Sequence, residues 1–205
     1  RKVMQTTNQY VSNRVHPNFF EKIDGFRNHL ALVNPEKTEI LLKKAIIFIR
    51  SLQKQKKTLL FINNDPKLSF LVKSTSQKLK QYYSNENWVP GLLTNWDGFQ
   101  PTLRSFSYCE KYFGNYLRTK QKLFPKYLKQ KKKLEGLAGM RTKPSALILF
   151  QISGNESILK EAQLLNIPIV AFTDCTKSFL QVSYPIPFAT NSIFFNYLFC
   201  SFLCK

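Results

Sequence analysis

Glycine is scarce, with seven among 205 residues, and the chain holds two histidines, two methionines and four cysteines. Each shortage excludes a class of chemistry. None of the glycines falls in a G-x-G-x-x-G or Walker arrangement, so the backbone cradle that holds nucleotide phosphates is missing. No nucleophile elbow occurs either, because Gly154-Asn155-Glu156-Ser157 follows a strand-like run without the G-x-S-x-G order. With His16 and His29 as the only imidazoles, a zinc site would need distant partners, and Cys200-x3-Cys204 alone does not define one. Cys109, Cys175, Cys200 and Cys204 lack the spacing of a disulfide scaffold and read as buried free thiols of a reducing compartment. No structural metal, no cofactor and no small-molecule substrate is expected. Long apolar runs are absent as well. The longest, Ile193 to Cys204, is about a dozen residues, is interrupted by Asn196 and Ser201, and reads as a buried terminal helix rather than a membrane span. Residues 1–20 have no acidic side chain and no apolar signal core, which argues against secretion and is compatible with organelle targeting.

Acidic residues are the most telling shortage: 12 Asp and Glu face 31 Lys and Arg, a formal charge of +19. Such self-repulsion is relieved by a polyanion. Nucleic acid is the leading candidate, with an anionic membrane the weaker rival. At 205 residues and 43% hydrophobic content the chain suffices for one α/β domain and one projecting element, not for a second domain.

The hydrophobic pattern alternates between helix-like and strand-like segments. Asn34 and Pro35 open a helix in which Ile40, Leu41, Ala45, Phe48, Ile49 and Leu52 recur at helical spacing, ending near Lys54 to Lys57. Thr58 to Asn63 is a buried-strand run, and Asp65-Pro66 starts the next helix. The same order returns with a strand at Ala146 to Ile152, a helix burying Leu159, Ala162 and Leu165, and a strand at Ile167 to Asp174. A short strand around Tyr184 to Pro187 precedes the terminal helix. Strands joined through helices run parallel. Asp65 and Asp174 stand at strand ends, where catalytic acids of such sheets often lie, but cap and turn roles account for both.

Between Trp96 and Ala146 the pattern changes. From Lys111 to Leu134 there are nine basic residues and no acidic one: Lys111, Arg118, Lys120, Lys122, Lys126, Lys129, Lys131, Lys132 and Lys133. Tyr112, Phe113, Tyr116, Leu117, Leu123, Phe124, Tyr127 and Leu128 keep helical spacing among them, predicting an amphipathic basic element. Pro125 predicts a break there and a second helix beginning in its first turn. An unpaired basic run repels itself unless phosphates neutralise it, which favours RNA contact over a merely solvated face. Just upstream, WVPGLLTNW carries both tryptophans, Trp88 and Trp96, around a Pro90-Gly91 turn.

WVPGLLTNW resembles the W-L-G-G-M-L-T-N-W/F segment of the S-two family of small-subunit ribosomal proteins, and other pieces follow in the family's order. FRNHLALVNPEKTEILLKKAIIFI is similar to its R-N-G-I-H-I-I-D-L-E-K-T segment and following helix, KPSALILF to L-P-D-A-L-F-V-I, LLNIPIVAFTD to L-G-I-P-V-V-A-I-V-D, and YPIPFATNSI to Y-x-I-P-G-N-D-D-A-I. The likeness runs from about His16 to the end. There are departures. The family's G-V-H-F-G-H opening is not recognisable, Pro90 replaces a glycine, G-G-I-K-D-M survives as EGLAGM, and Thr190 and Asn191 replace an acidic pair. This divergence, with 18 Phe and many Lys and Asn, looks like an AT-rich organellar coding sequence and points to a mitochondrial member.

The resemblance implies a flavodoxin-like five-stranded parallel sheet flanked by helices, with a projecting basic helical hairpin. It divides the chain into a basic N-terminal arm (1–20), the first part of the α/β domain (21–99), the hairpin (100–135) and the second part of the domain (136–205). It also implies a structural, non-catalytic place in the mitochondrial small ribosomal subunit, with rRNA and neighbouring ribosomal proteins as partners and no membrane. Candidate RNA-binding residues are Arg14, Arg27, Asn28, Asn95, Trp96, Arg118, Lys120, Lys122, Lys126, Lys129, Lys131, Lys132 and Lys133. Arg27 and Asn28 match the family's R-N pair, with loop fixing as their alternative role. Trp88 is expected to pack, while Asn95 and Trp96 either touch RNA or fix the hairpin's base. The other class of function is a free-standing RNA-binding or RNA-modifying α/β protein.

Overall fold

The structure is a computed structural model that describes residues 22–27, 30–86, 88–119, 124–173, 181–188 and 192–204. Strands β1 (Ile23–Arg27) and β2 (Leu30–Val33) form an antiparallel hairpin that the sequence pattern did not announce. Helix α1 (Pro35–Lys54) follows, and Asn34 caps it as expected by accepting a hydrogen bond from the Lys37 amide. Then come β3 (Leu59–Ile62), a 3-10 turn at Pro66–Leu68 leading into α2 (Ser69–Lys78), and β4 (Tyr82–Ser84). After the tryptophan-bounded loop come α3 (Trp96–Thr119), α4 (Phe124–Leu134) and a 3-10 turn at Glu135–Leu137. The chain closes with β5 (Ala146–Leu149), α5 (Glu156–Leu164), β6 (Ile169–Thr173), β7 (Tyr184–Pro187) and α6 (Ile193–Leu203).

The five strands β3 to β7 pair in the order β4-β3-β5-β6-β7, all parallel. Numbered within the sheet, this is the flavodoxin-like order 2-1-3-4-5. Alternating strand residues serve two separate cores. Leu60, Ile62, Leu147, Leu149, Ile169 and Ala171 face one side, joined by Trp88, Trp96, Leu103, Phe106 and Leu159. Leu59, Phe61, Ala146, Ile148, Val170 and Phe172 face the other, against Ala45 and Ile49 of α1 and Phe195 and Phe199 of α6. Both faces are covered, which is why these strands read as continuous apolar runs. On the second side Phe172 meets Phe199 edge-on at 5.0 Å and Phe188 stacks on Phe195 at 3.6 Å between centroids.

Two expectations about burial need correction. The terminal helix is not buried throughout: Phe195, Phe199, Cys200 and Leu203 face inward, while Ile193, Phe194 and Tyr197 are exposed, because α6 packs on the sheet's outer face with one side only. Nor are all the thiols buried. Cys109 and Cys204 are exposed and free, and Cys200 is buried and free, its thiol pushed up to about 11 mainly by burial. Cys175 lies outside the described residues. Among the described residues no helix is long and apolar enough to cross a membrane, and no group of His, Cys, Asp and Glu side chains is placed to hold a metal ion.

Candidate nucleic-acid interface

The loop ahead of α3 is organised by a residue that the sequence pattern left inside a helix. Glu161 of α5 is buried, and its carboxylate accepts hydrogen bonds from Trp88 Nε1 (3.0 Å) and from the backbone amides of Gly91 (2.7 Å), Leu93 (2.9 Å) and Thr94 (3.3 Å). A buried carboxylate is tolerable when donors surround it in this way. Gly91 has φ +86, a backbone region open to glycine at no steric cost, so the Pro90-Gly91 turn can aim its amides at Glu161. Trp88 thus packs and donates. Trp96 opens α3 with its ring 4% exposed in the core beneath the hairpin. Of the two roles expected of Trp96, this burial fits fixing the hairpin's base. Asn95 is exposed, its carbonyl accepting the Phe99 amide at the start of α3 and its side chain lying over Gly98.

Helix α4 returns along α3. Tyr127 and Lys131, a turn apart on α4, both hydrogen-bond Glu110 of α3, while Leu134 joins Phe106 in the core at the hairpin's base. Burial alone would raise the Glu110 carboxyl, but hydrogen bonds from Lys131 and Tyr127 outweigh it and hold the group below its ordinary value. Lys131 is raised in turn, chiefly by its hydrogen bond to Glu110. A second ion pair, Lys73 to Glu135 at 2.8 Å, ties the end of the hairpin to α2. Directly after Glu135, Gly136 passes so close to β4 that a Cβ there would lie 2.1 Å from the Tyr83 carbonyl oxygen. Only glycine fits that approach.

The seam between the two helices differs from the expected one. Leu103, Phe106, Gly114, Tyr127 and Leu134 are inside, whereas Tyr112 (59% exposed), Phe113, Tyr116 and Leu128 point outward. Tyr127 and Glu110 fill the seam, and Tyr112, Phe113 and Tyr116 of α3 fall outside it. Pro101 within α3 was likewise not foreseen as a helical residue. Pro125 is the second residue of α4, as its fixed φ requires.

Of the candidate cations, Arg118, Lys126, Lys129, Lys132 and Lys133 are exposed on the hairpin. Lys131 is half-buried and committed to Glu110, so the basic run is not wholly unpaired, because Glu110 stands one residue upstream of it. Arg27 lies at the end of β1. Arg14, Asn28, Lys120 and Lys122 lie outside the described residues. The other place to seek a ligand in such a sheet is the carboxyl ends of β3 and β5, where strand order reverses. There the side chains bond one another: Asn64 Nδ2 donates to Asn155 Oδ1 at 3.0 Å and Asn155 Nδ2 to the Gln151 carbonyl at 2.9 Å. Asp65 caps the turn into α2, accepting from the Lys67 amide. Asp174 lies outside the described residues.

The five-stranded parallel sheet agrees with the fold that the resemblance implied, and the chain matches a known family. The family described as ribosomal protein S2 matches residues 9–205. The chain belongs to that family. Small ribosomal subunit protein uS2m of Marchantia polymorpha is 30% identical over 207 residues, covering 98% of this chain and 87% of the relative. Small ribosomal subunit protein uS2 of Rickettsia canadensis is 29% identical over 199 residues, covering 94% and 68%. The counterpart in Ehrlichia chaffeensis is 28% identical over 183 residues, covering 87% of this chain and 64% of its own length.

Proposed function

We propose that this S2-family chain is a structural constituent of the mitochondrial small ribosomal subunit, seated on rRNA by its α3–α4 hairpin and in contact with neighbouring ribosomal proteins. Family membership along residues 9–205 and the likeness to the uS2m protein support the ribosomal and mitochondrial parts. The observation that carries RNA contact is the ridge of exposed Arg118, Lys126, Lys129, Lys132 and Lys133, whose nearby carboxylate Glu110 is already taken by Lys131 and Tyr127. The ridge holds phosphates for position, and the chain acts as a scaffold without turnover. Asn95, exposed at the hairpin's base, extends this surface, and Arg27 at the end of β1 is proposed as a separate RNA contact.

Replacing Lys126, Lys129, Lys132 and Lys133 together with Gln removes charge while keeping length and helix propensity. The fraction of tagged protein that co-sediments with small subunits through a moderate-salt wash is expected to fall, with an unchanged melting curve. Replacing exposed Lys54 and Lys57 near the end of α1 is expected to cost less. Equal assembly of the hairpin variant would place the RNA-facing surface on the body of the domain. Failure of the wild-type chain to co-sediment would favour a free-standing RNA-binding protein.

A further inference from the structure

The outward aromatics of α3 are not scattered. Arg104, Tyr108 and Tyr112 follow one another at four-residue spacing, so they share a face of the helix. That face, with Lys111, looks across a cleft of about 640 Å³ toward Met140 and Arg141, in the segment that leads from the hairpin back to the sheet. The volume is in the range of roughly 300–1,000 Å³ found for small-molecule sites in general, large enough for one or two bases. Tyr108 and Tyr112 are each 59% exposed, with ring centroids 4.6 Å apart and planes tilted by 44°. Lys111 Nζ stands 5.1 Å from the centre of the Tyr112 ring. Three cations, Arg104, Lys111 and Arg141, line the cleft, and among the described residues no carboxylate does.

The floor is rigid. Gln100 Nε2 donates to the Met140 carbonyl at 3.1 Å, and the Tyr82 hydroxyl donates to the Gly139 carbonyl at 2.8 Å. Exposed ring faces beside guanidinium and ammonium groups, above a fixed backbone, are the elements with which proteins grip unpaired bases: rings and guanidinium planes stack, cations hold the flanking phosphates. A duplex has no use for the rings, because its base faces are covered by neighbouring pairs. The lysine ridge of α4 is different in kind, being cationic without exposed rings other than those of α3.

We infer that the cleft between α3 and the Met140–Arg141 segment is a stacking site for one or two unpaired bases of RNA, with Tyr108 and Tyr112 as the platform and Arg104, Lys111 and Arg141 as phosphate holders. This rests on the reading of the hairpin as RNA-facing and adds that two parts of it take different RNA: the α4 ridge any phosphate backbone, the cleft a single strand.

The test uses the purified full chain, a fluorescent 12-nucleotide oligouridylate, and an RNA duplex of equal length. Replacing Tyr108 and Tyr112 with Leu is expected to weaken single-strand binding on the order of ten- to a hundred-fold, and duplex binding less than about two-fold. The Lys126, Lys129, Lys132 and Lys133 to Gln variant is expected to lose both ligands together. Since both tyrosines are exposed, the melting curve is expected to hold. Equal loss of the two RNAs in the tyrosine variant, or loss of neither, overturns the stacking site. If that variant binds both RNAs as wild type does but drops out of small subunits, the cleft takes a protein instead, and the inference falls while the ribosomal reading stands. Failure of wild type to co-sediment with small subunits counts against the ribosomal reading, whatever the oligonucleotide shows.

Discussion

Glu161 concentrates more of the architecture than any lysine. Four donors converge on its two oxygens, three of them backbone amides of a single loop, and that loop sets where α3 begins. Glu161→Ala is expected to strand those donors in a buried site at a cost of roughly 3 kcal/mol or more. For a chain of this size that lowers Tm by roughly 6–12 °C. Glu161→Gln keeps one acceptor oxygen but turns an amide donor toward the backbone N–H groups, so its loss should be intermediate. Trp88 fluorescence and thermal melts of both variants check this. A loss under about 1 kcal/mol for the alanine would mean that Leu92, Leu93 and Trp88 hold the loop by packing alone. Sequence reasoning missed the residue for a physical reason. A glutamate at that place in α5 looks like an ordinary solvated helix position, and only the fold brings residues 88–94 over it. The clue available was the odd pairing of two tryptophans around a turn, which signalled a loop needing a partner without naming it.

At the scale of elements, legibility followed locality. Asn34-Pro35 and Pro125 fixed helix starts by backbone rules that operate within one turn, and Tyr184 to Pro187 formed the strand read from its pattern. The β1–β2 hairpin pairs locally and still lacks a turn signal that announces it, whereas strand β4 depends on β3, some twenty residues upstream, and left little trace in the pattern. The hairpin's seam was misread for the same reason, since Glu110 becomes an inward residue only once Tyr127 and Lys131 reach it. That contact gives the hairpin a pH dependence with a definite sign. The Glu110 carboxyl lies below its ordinary 4.5 when folded, so its contribution is present above that value and is lost as pH falls through the folded value. Lys131 lies above its ordinary 10.5, so its contribution is present below 10.5 and is lost as pH rises through the folded value. Glu110→Gln is expected to cost about 1 kcal/mol near neutrality, after allowing for solvent screening of a part-exposed pair. The variant should also show a smaller fall in Tm than wild type when pH is lowered from about 5 to 3. Identical acid profiles for the two proteins would place the acid-sensitive contact elsewhere.

For the whole molecule, the charge of +19 is the quantity that composition made visible before any element was placed. It predicts a polyanion but not where the polyanion sits, because lysines are spread along the chain and their exposure depends on packing. The fold sorts some of them into paired and unpaired sets. Lys131 and Lys73 spend their charge on Glu110 and Glu135, while the α4 ridge and the α3 cleft keep theirs facing outward. Binding of the isolated chain to rRNA should therefore depend on salt through the outward set alone. With about six to ten phosphates neutralised, log affinity is expected to fall with log salt at roughly 0.7 to 0.9 per phosphate. Replacing Lys126, Lys129, Lys132 and Lys133 with Gln should lower that slope by roughly 3 to 4. The Lys131→Gln variant should barely change the slope while lowering Tm, since its partner is inside the protein. The two variants therefore separate charge that binds from charge that folds, and titrations of each at three or four salt concentrations measure both. A flat response in the wild type would remove the polyanion from the account. Equal slope losses for Lys131→Gln and for a single exposed lysine would mean that the Glu110 pair opens when RNA arrives.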